Sequence, residues 1–135
     1  MTAQNPQILL VEDEKDIAEA LGFALTVQGY QVKIVYDGQE GLQAAMDSPP
    51  DLMVLDVMLP GINGYEISRQ LKDWMDSSPD GDYFPILLIT ARRVNTEQRE
   101  EFLAVWSRSD SVLYKPFELD TFFDRVEGLL SLGVV

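Results

Sequence analysis

The chain has 135 residues, enough to bury a core and too few for two folded units of similar size. Hydrophobic residues make up 46% and charged residues 24%, which excludes a disordered chain, while 10 basic residues against 23 acidic ones give a formal charge of −13 that repels nucleic-acid backbones and anionic membranes. With no cysteine and no histidine there is no disulfide framework, imidazole base or phosphohistidine, so acid–base or phosphoryl chemistry falls to carboxylates, hydroxyls or lysine.

The segment Met1 to Gln7 is polar and lacks the charged-then-apolar pattern of a secretion signal, and no apolar run approaches the ~18 residues of a membrane span, so a cytoplasmic location is expected. The first apolar run, Ile8-Leu9-Leu10-Val11, leads into Glu12-Asp13. Ile17, Leu21, Ala24, Leu25 and Gln28 then follow helical spacing, with Gly29 as the stop. Val32-Lys33-Ile34-Val35 is the second run, after which Asp37-Gly38 opens a helix holding Leu42, Ala45 and Met46 and ending ahead of Pro49-Pro50. The third run, Leu52-Met53-Val54-Leu55, reaches Asp56, and Asn63 caps a helix containing Tyr65, Ile67, Leu71 and Trp74. Asp76 to Asp82 is polar and turn-rich and reads as a solvated loop. Ile86-Leu87-Leu88-Ile89 ends at Thr90, a fourth helix is predicted from Asn95 through Phe102 and Val105, Val112-Leu113-Tyr114 ends at Lys115, and a fifth helix runs from Glu118 through Phe122, Val126 and Leu129.

Three of the five runs are continuous rather than alternating, as strands covered on both faces of a parallel sheet are. Five βα units with short connections and right-handed crossovers favour an α/β three-layer sandwich: a doubly wound, flavodoxin-like parallel sheet of order 2-1-3-4-5 with helices on both faces. The polar residues Glu12-Asp13, Asp56, Thr90 and Lys115 all fall at carboxyl ends of strands, the edge that carries the ligand crevice in such sheets. Strands one and three are neighbours at the switch point, so three carboxylates converge there and repel; with one lysine they sum to −2, which a hard divalent cation relieves. Oxygen ligands suit Mg²⁺, with Asp13 and Asp56 ligating directly and Glu12 through water. A carboxylate can attack a phosphoryl group to form an acyl phosphate, with metal, ammonium and the Thr90 hydroxyl spreading charge over the transferring oxygens.

Each residue also fits a structural role by itself. Asp13 or Glu14 could stabilise a first helical turn, Asp56 could sit in a turn, Thr90 could cap a helix, and Lys115 could be a solvated lysine before a proline. Their coincidence on separate strand ends favours a built site. Trp74, Trp106, Phe122, Phe123 and the five methionines read as packing.

Ile8-Leu9-Leu10-Val11-Glu12-Asp13-Glu14, Leu55-Asp56-Val57-Met58-Leu59-Pro60-Gly61 followed by Gly64, Ile89-Thr90-Ala91 and Lys115-Pro116-Phe117 together resemble the receiver domains of bacterial response regulators, in order and spacing, over nearly the whole chain. The resemblance implies one receiver domain over 1–135 with its core at about 6–132. It implies that Asp56 is the phosphoacceptor, Glu12 and Asp13 the acidic metal-binding pair, Thr90 the switch hydroxyl and Lys115 the phosphate-contacting lysine. Mg²⁺ would also take the Met58 backbone carbonyl, Lys115-Pro116 would be cis, and the small Ala91 would leave Asp56 accessible. Where many receivers carry Gly-Ala-Asp-Asp-Tyr, this chain has Arg108-Ser109-Asp110-Ser111-Val112, so Val112 stands at the switch-aromatic position, with Tyr114 two positions on and on the same side of the strand. The last helix lacks the charge-rich face by which transcription-factor receivers dimerise, and a monomer or weak dimer is expected.

The implied partner is a histidine kinase or histidine phosphotransfer protein, with a downstream effector or output domain, and no direct contact with nucleic acid or membrane. The implied role is a phosphoacceptor rather than an enzyme. Aspartate-nucleophile phosphohydrolases place a second acid two residues on, where this chain has Met58, and a flavin module would need the Glu12-Asp13-Glu14 loop to cradle phosphate. A degenerate receiver serving as a phosphorylation-independent interaction module is the remaining alternative, which absence of Mg²⁺ binding would favour.

Overall fold

The computed structural model describes residues 5–91 and 97–132. Strand and helix alternate five times along them: β1 (Gln7–Val11), α1 (Lys15–Val27), β2 (Gln31–Val35), α2 (Gly38–Asp47), β3 (Leu52–Asp56), α3 (Gly64–Asp76), β4 (Ile86–Ala91), α4 (Glu97–Trp106), β5 (Ser111–Lys115) and α5 (Leu119–Leu132). The strands pair in parallel in the order β2-β1-β3-β4-β5, as the sequence pattern predicts. Register pairs Val11 with Val35 and Leu55, Asp56 with Ile89, and Thr90 with Tyr114, which brings the strand ends to one rim.

Side-chain alternation divides the core. Ile8, Leu10, Val54, Leu87, Ile89 and Leu113 pack with Leu21 and Leu25 of α1 and Phe122, Val126 and Leu129 of α5. Leu9, Val11, Met53, Leu55, Ile86 and Leu88 pack with Leu42 and Ala45 of α2 and Ile67, Leu71 and Met75 of α3, with Leu103 of α4 at the margin. β1, β3 and β4 are covered on both faces, which is why their runs are continuous; β2, at the edge, keeps Lys33 exposed.

Two predicted caps form: the Asp37 carboxylate accepts the Glu40 N–H and the Asn63 side-chain carbonyl accepts the Glu66 N–H, both at 3.0 Å. Glu14 occupies the N-cap position of α1, but its side chain makes no capping bond. Asp56 is the last residue of β3, and Thr90 is the penultimate residue of β4 rather than its end. Asn95, the predicted start of the fourth helix, lies outside the described residues. Among the described residues no helix is long and apolar enough to cross a membrane.

The sequence pattern did not reveal how α3 holds the connection from α4 to β5. Ser68 Oγ donates to the Ser107 carbonyl at 3.0 Å, and Arg69 Nη1 to the Trp106 carbonyl at 2.9 Å. Arg108, in the left-handed region at φ 61°, donates to Asp73 at 2.9 Å and to Asp76 at 2.7 Å. Asp76, expected to begin a solvated loop, therefore ends α3 with its carboxylate paired. Deeper in, the Lys72 ammonium meets Asp110 Oδ2 at 2.5 Å.

Candidate functional site

β1 delivers Glu12 and Asp13 just past its end, and β3 delivers Asp56 at its last residue. One carboxylate oxygen from each lies within 4.8 Å of the other two. Glu12 is 1% and Asp56 2% exposed, so these two carboxyl groups face each other out of contact with solvent. Lys115, at the end of β5, reaches in: its Nζ is 3.5 Å from Asp56 Oδ2 and 3.7 Å from Glu12 Oε2, ion-pair distances longer than a good hydrogen bond. On the other side the Met58 N–H donates to Asp56 Oδ1 at 3.1 Å, which sets the carboxylate plane and brings the Met58 backbone to the site. The peptide bond after Lys115 is cis, as the resemblance implied.

Burial above all, and then the adjacent Asp56 carboxylate, push the Glu12 carboxyl up to about 8, with the Lys115 ammonium opposing. Both Glu12 carboxylate oxygens are buried without a hydrogen-bond partner among the described residues. Such groups call for an outside ligand. Three acidic oxygens, one distant ammonium and orphaned carboxylate atoms are a donor set that fits a hard, partly hydrated divalent cation such as Mg²⁺.

Thr90 is buried on the α3 side of the sheet, and its hydroxyl makes a contact at the limit of hydrogen bonding, 3.5 Å to the Ala91 carbonyl. All the residues singled out from the sequence, Glu12, Asp13, Asp56, Met58, Thr90 and Lys115, thus fall at one rim. A cavity of about 610 Å³ opens beside them, lined by Asp13, Met58, Thr90 and Ala91 and, from elements not predicted to contribute, by Tyr65 of α3 and Glu100 of α4. Tyr65 reads in sequence as an ordinary apolar position of an amphipathic helix, and nothing local marks it as a site residue.

Gly64 brings the start of α3 onto the strand end. A Cβ there would stand 2.6 Å from the Asp56 carbonyl oxygen and 2.7 Å from Val57 Cα, both backbone atoms that cannot yield. Gly64→Ala is expected to push α3 off this backbone, cost about 1–3 kcal/mol of stability in urea unfolding, and weaken Mg²⁺ binding measured by calorimetry. Unchanged values for both would show that the contact tolerates a methyl group.

The family model of the response regulator receiver domain matches residues 8–127. The chain belongs to that family. It is a response regulator receiver domain of two-component signalling, and its five-stranded α/β architecture is the one solved receivers share. The response regulator ArlR of Staphylococcus aureus is 36% identical over 124 residues, covering 92% of this chain and 52% of that protein, so the chain spans about half the length of the curated relatives it matches. The receiver domain of a signal transduction histidine kinase from Syntrophus aciditrophicus is 31% identical, with a TM-score of 0.81 over 96% of this chain and 92% of that one. The response regulator TrrA from Thermotoga maritima, solved in complex with Mg²⁺ and BeF, is 29% identical, with a TM-score of 0.74 over 92% of this chain and 98% of that one.

Proposed function

We propose that this receiver accepts a phosphoryl group on Asp56 from a histidine kinase or histidine phosphotransfer protein and passes the event on to an effector or output domain. The observation that carries it is the buried Asp56 carboxylate set between the Lys115 ammonium and two further acids at the topological switch point. Asp13, Asp56 and the Met58 backbone carbonyl would hold Mg²⁺, with Glu12 acting through water. The cation supplies positive charge to the transferring phosphoryl oxygens.

The chain's own residues do the rest. The Met58 N–H fixes Oδ1, and Oδ2, facing Lys115, is the nucleophile. The new bond joins Oδ2 to phosphorus while the donor's P–N bond breaks, and its electron pair leaves with the donor imidazole. Lys115 swings from the carboxylate to the arriving phosphoryl group, and the Thr90 hydroxyl turns inward to donate to another of its oxygens, shifting a pre-existing equilibrium of surface arrangements. Met58 stands where a hydrolase would carry its acid, so the domain is a phosphoacceptor that assists its own phosphorylation and dephosphorylation rather than a turnover enzyme. Its setting is the cytoplasm, where kinase and ATP are.

Incubation with acetyl phosphate and Mg²⁺ is expected to add one phosphoryl group to the intact mass. The adduct should be released by hydroxylamine, as an acyl phosphate is, and should not form in EDTA. Labelling undiminished by EDTA would overturn the assignment.

A further inference from the structure

We propose that Tyr65 is a positioning residue that couples the Thr90 hydroxyl to Glu100 and so carries the state of Asp56 to α4; this rests on the phosphoacceptor function above. Tyr65, Thr90 and Glu100 line the same cavity beside the site, and all three are buried. By strand alternation Thr90 shares the Leu88 face of β4, against which α3 packs, and its register partner is Tyr114.

The backbone at Tyr65 is fixed relative to Asp56. Gly64 N–H donates to the Val57 carbonyl at 3.0 Å, and the Gly64 Cα lies too close to the Asp56 backbone to admit a side chain. A phenol on the next residue therefore has its base anchored to the phosphorylation strand, while its hydroxyl lies in hydrogen-bond reach of Thr90 and its ring lines the cavity that Glu100 also lines. Burial first, and then Glu100, push the phenol above its ordinary range, so it keeps its proton and stays a donor.

Thr90 has one hydroxyl proton. Once that proton goes to a phosphoryl oxygen, Thr90 can meet the phenol only through its lone pairs, and the Tyr65 proton goes either to a displaced Thr90 or to Glu100. Either way the polar environment of Glu100, and hence the seating of α4, depends on where Thr90 points. The usual switch-aromatic position on β5 is Val112, which packs at the margin of the α3-side core and offers no hydroxyl. Tyr65 supplies from α3 the phenol that β5 lacks there.

The test is Tyr65→Phe, which removes one oxygen and keeps the ring. Amide resonances of the parent and variant are followed as beryllium fluoride, a mimic of the acyl phosphate, is added with Mg²⁺. In the parent, shifts are expected both around Asp56 and along α4. In Tyr65→Phe the shifts around Asp56 keep their size, with a midpoint within about twofold of the parent, while those of α4 fall to less than about half. A merely structural tyrosine would lower stability without separating the two sets. Glu100→Gln provides a second route, expected to diminish the α4 response while sparing Asp56. Parent-sized α4 shifts in both variants overturn the proposal. A parent that shows no response around Asp56 overturns the phosphoacceptor function and the coupling with it, an outcome told apart by the silent site.

Discussion

Asp56→Asn is expected to bring Mg²⁺-dependent labelling by acetyl phosphate or a kinase down to background while the protein stays folded. An amide oxygen has neither the charge nor the basicity to attack phosphorus, and no other carboxylate at the rim has the same setting. The Met58 N–H donates to Asp56 Oδ1, and Asp13 is partly exposed. The fold survives because asparagine is nearly isosteric and its carbonyl oxygen can still accept the Met58 N–H. Electrostatics point the same way. The substitution removes one of three acidic groups crowded within 4.8 Å, so the metal-free variant is expected to be at least as stable as the parent at neutral pH in urea unfolding. Loss of labelling with stability retained is the signature of a removed nucleophile. Full labelling of Asp56→Asn would show that phosphorus goes elsewhere, and loss of labelling together with unfolding would show that Asp56 is chiefly structural.

The parts of this site that could be read from sequence are those whose meaning is local. Glu12, Asp13, Asp56 and Lys115 each directly follow or end an apolar run, and once the runs are strands of one parallel sheet their ends must share a rim. The caps Asp37 and Asn63 were legible for the same reason, since each acts three residues away. What was not legible depends on partners distant in sequence. Tyr65 gains its meaning from Thr90 and Glu100, which the pattern of α3 cannot signal. Arg108 takes a left-handed φ, for which a sequence reader expects glycine, and is held there by carboxylates on α3. Lys72 looks like a solvated lysine on an amphipathic helix, yet it is buried because its partner Asp110 arrives 38 residues later.

That pair carries the largest stability effect to be expected outside the site, and it is asymmetric. Asp110 Oδ2 accepts from Lys72 Nζ at 2.5 Å and from the Ile86 N–H at 2.7 Å, while Oδ1 accepts from the Tyr83 hydroxyl at 3.0 Å. One carboxylate thus ties α3, the segment entering β4 and the segment entering β5. Asp110→Ala strands the Ile86 N–H and the buried ammonium, which keeps among the described residues the Phe84 carbonyl at 3.4 Å and the Tyr83 ring, 4.7 Å from Nζ, while the exposed Tyr83 hydroxyl turns to water, so a loss of about 3–5 kcal/mol in urea unfolding is expected. Lys72→Met is milder, about 1–3 kcal/mol, because the remaining carboxylate keeps the Ile86 and Tyr83 donors and is partly open to solvent. Asp110 meets β4 at Ile86, the opposite end of that strand from Thr90, so Asp110→Ala that is still folded at low temperature should label at Asp56 at the parent rate. An equal or reversed order of the two losses would mean that the ammonium, not the three-way acceptor, holds this end of the sheet together.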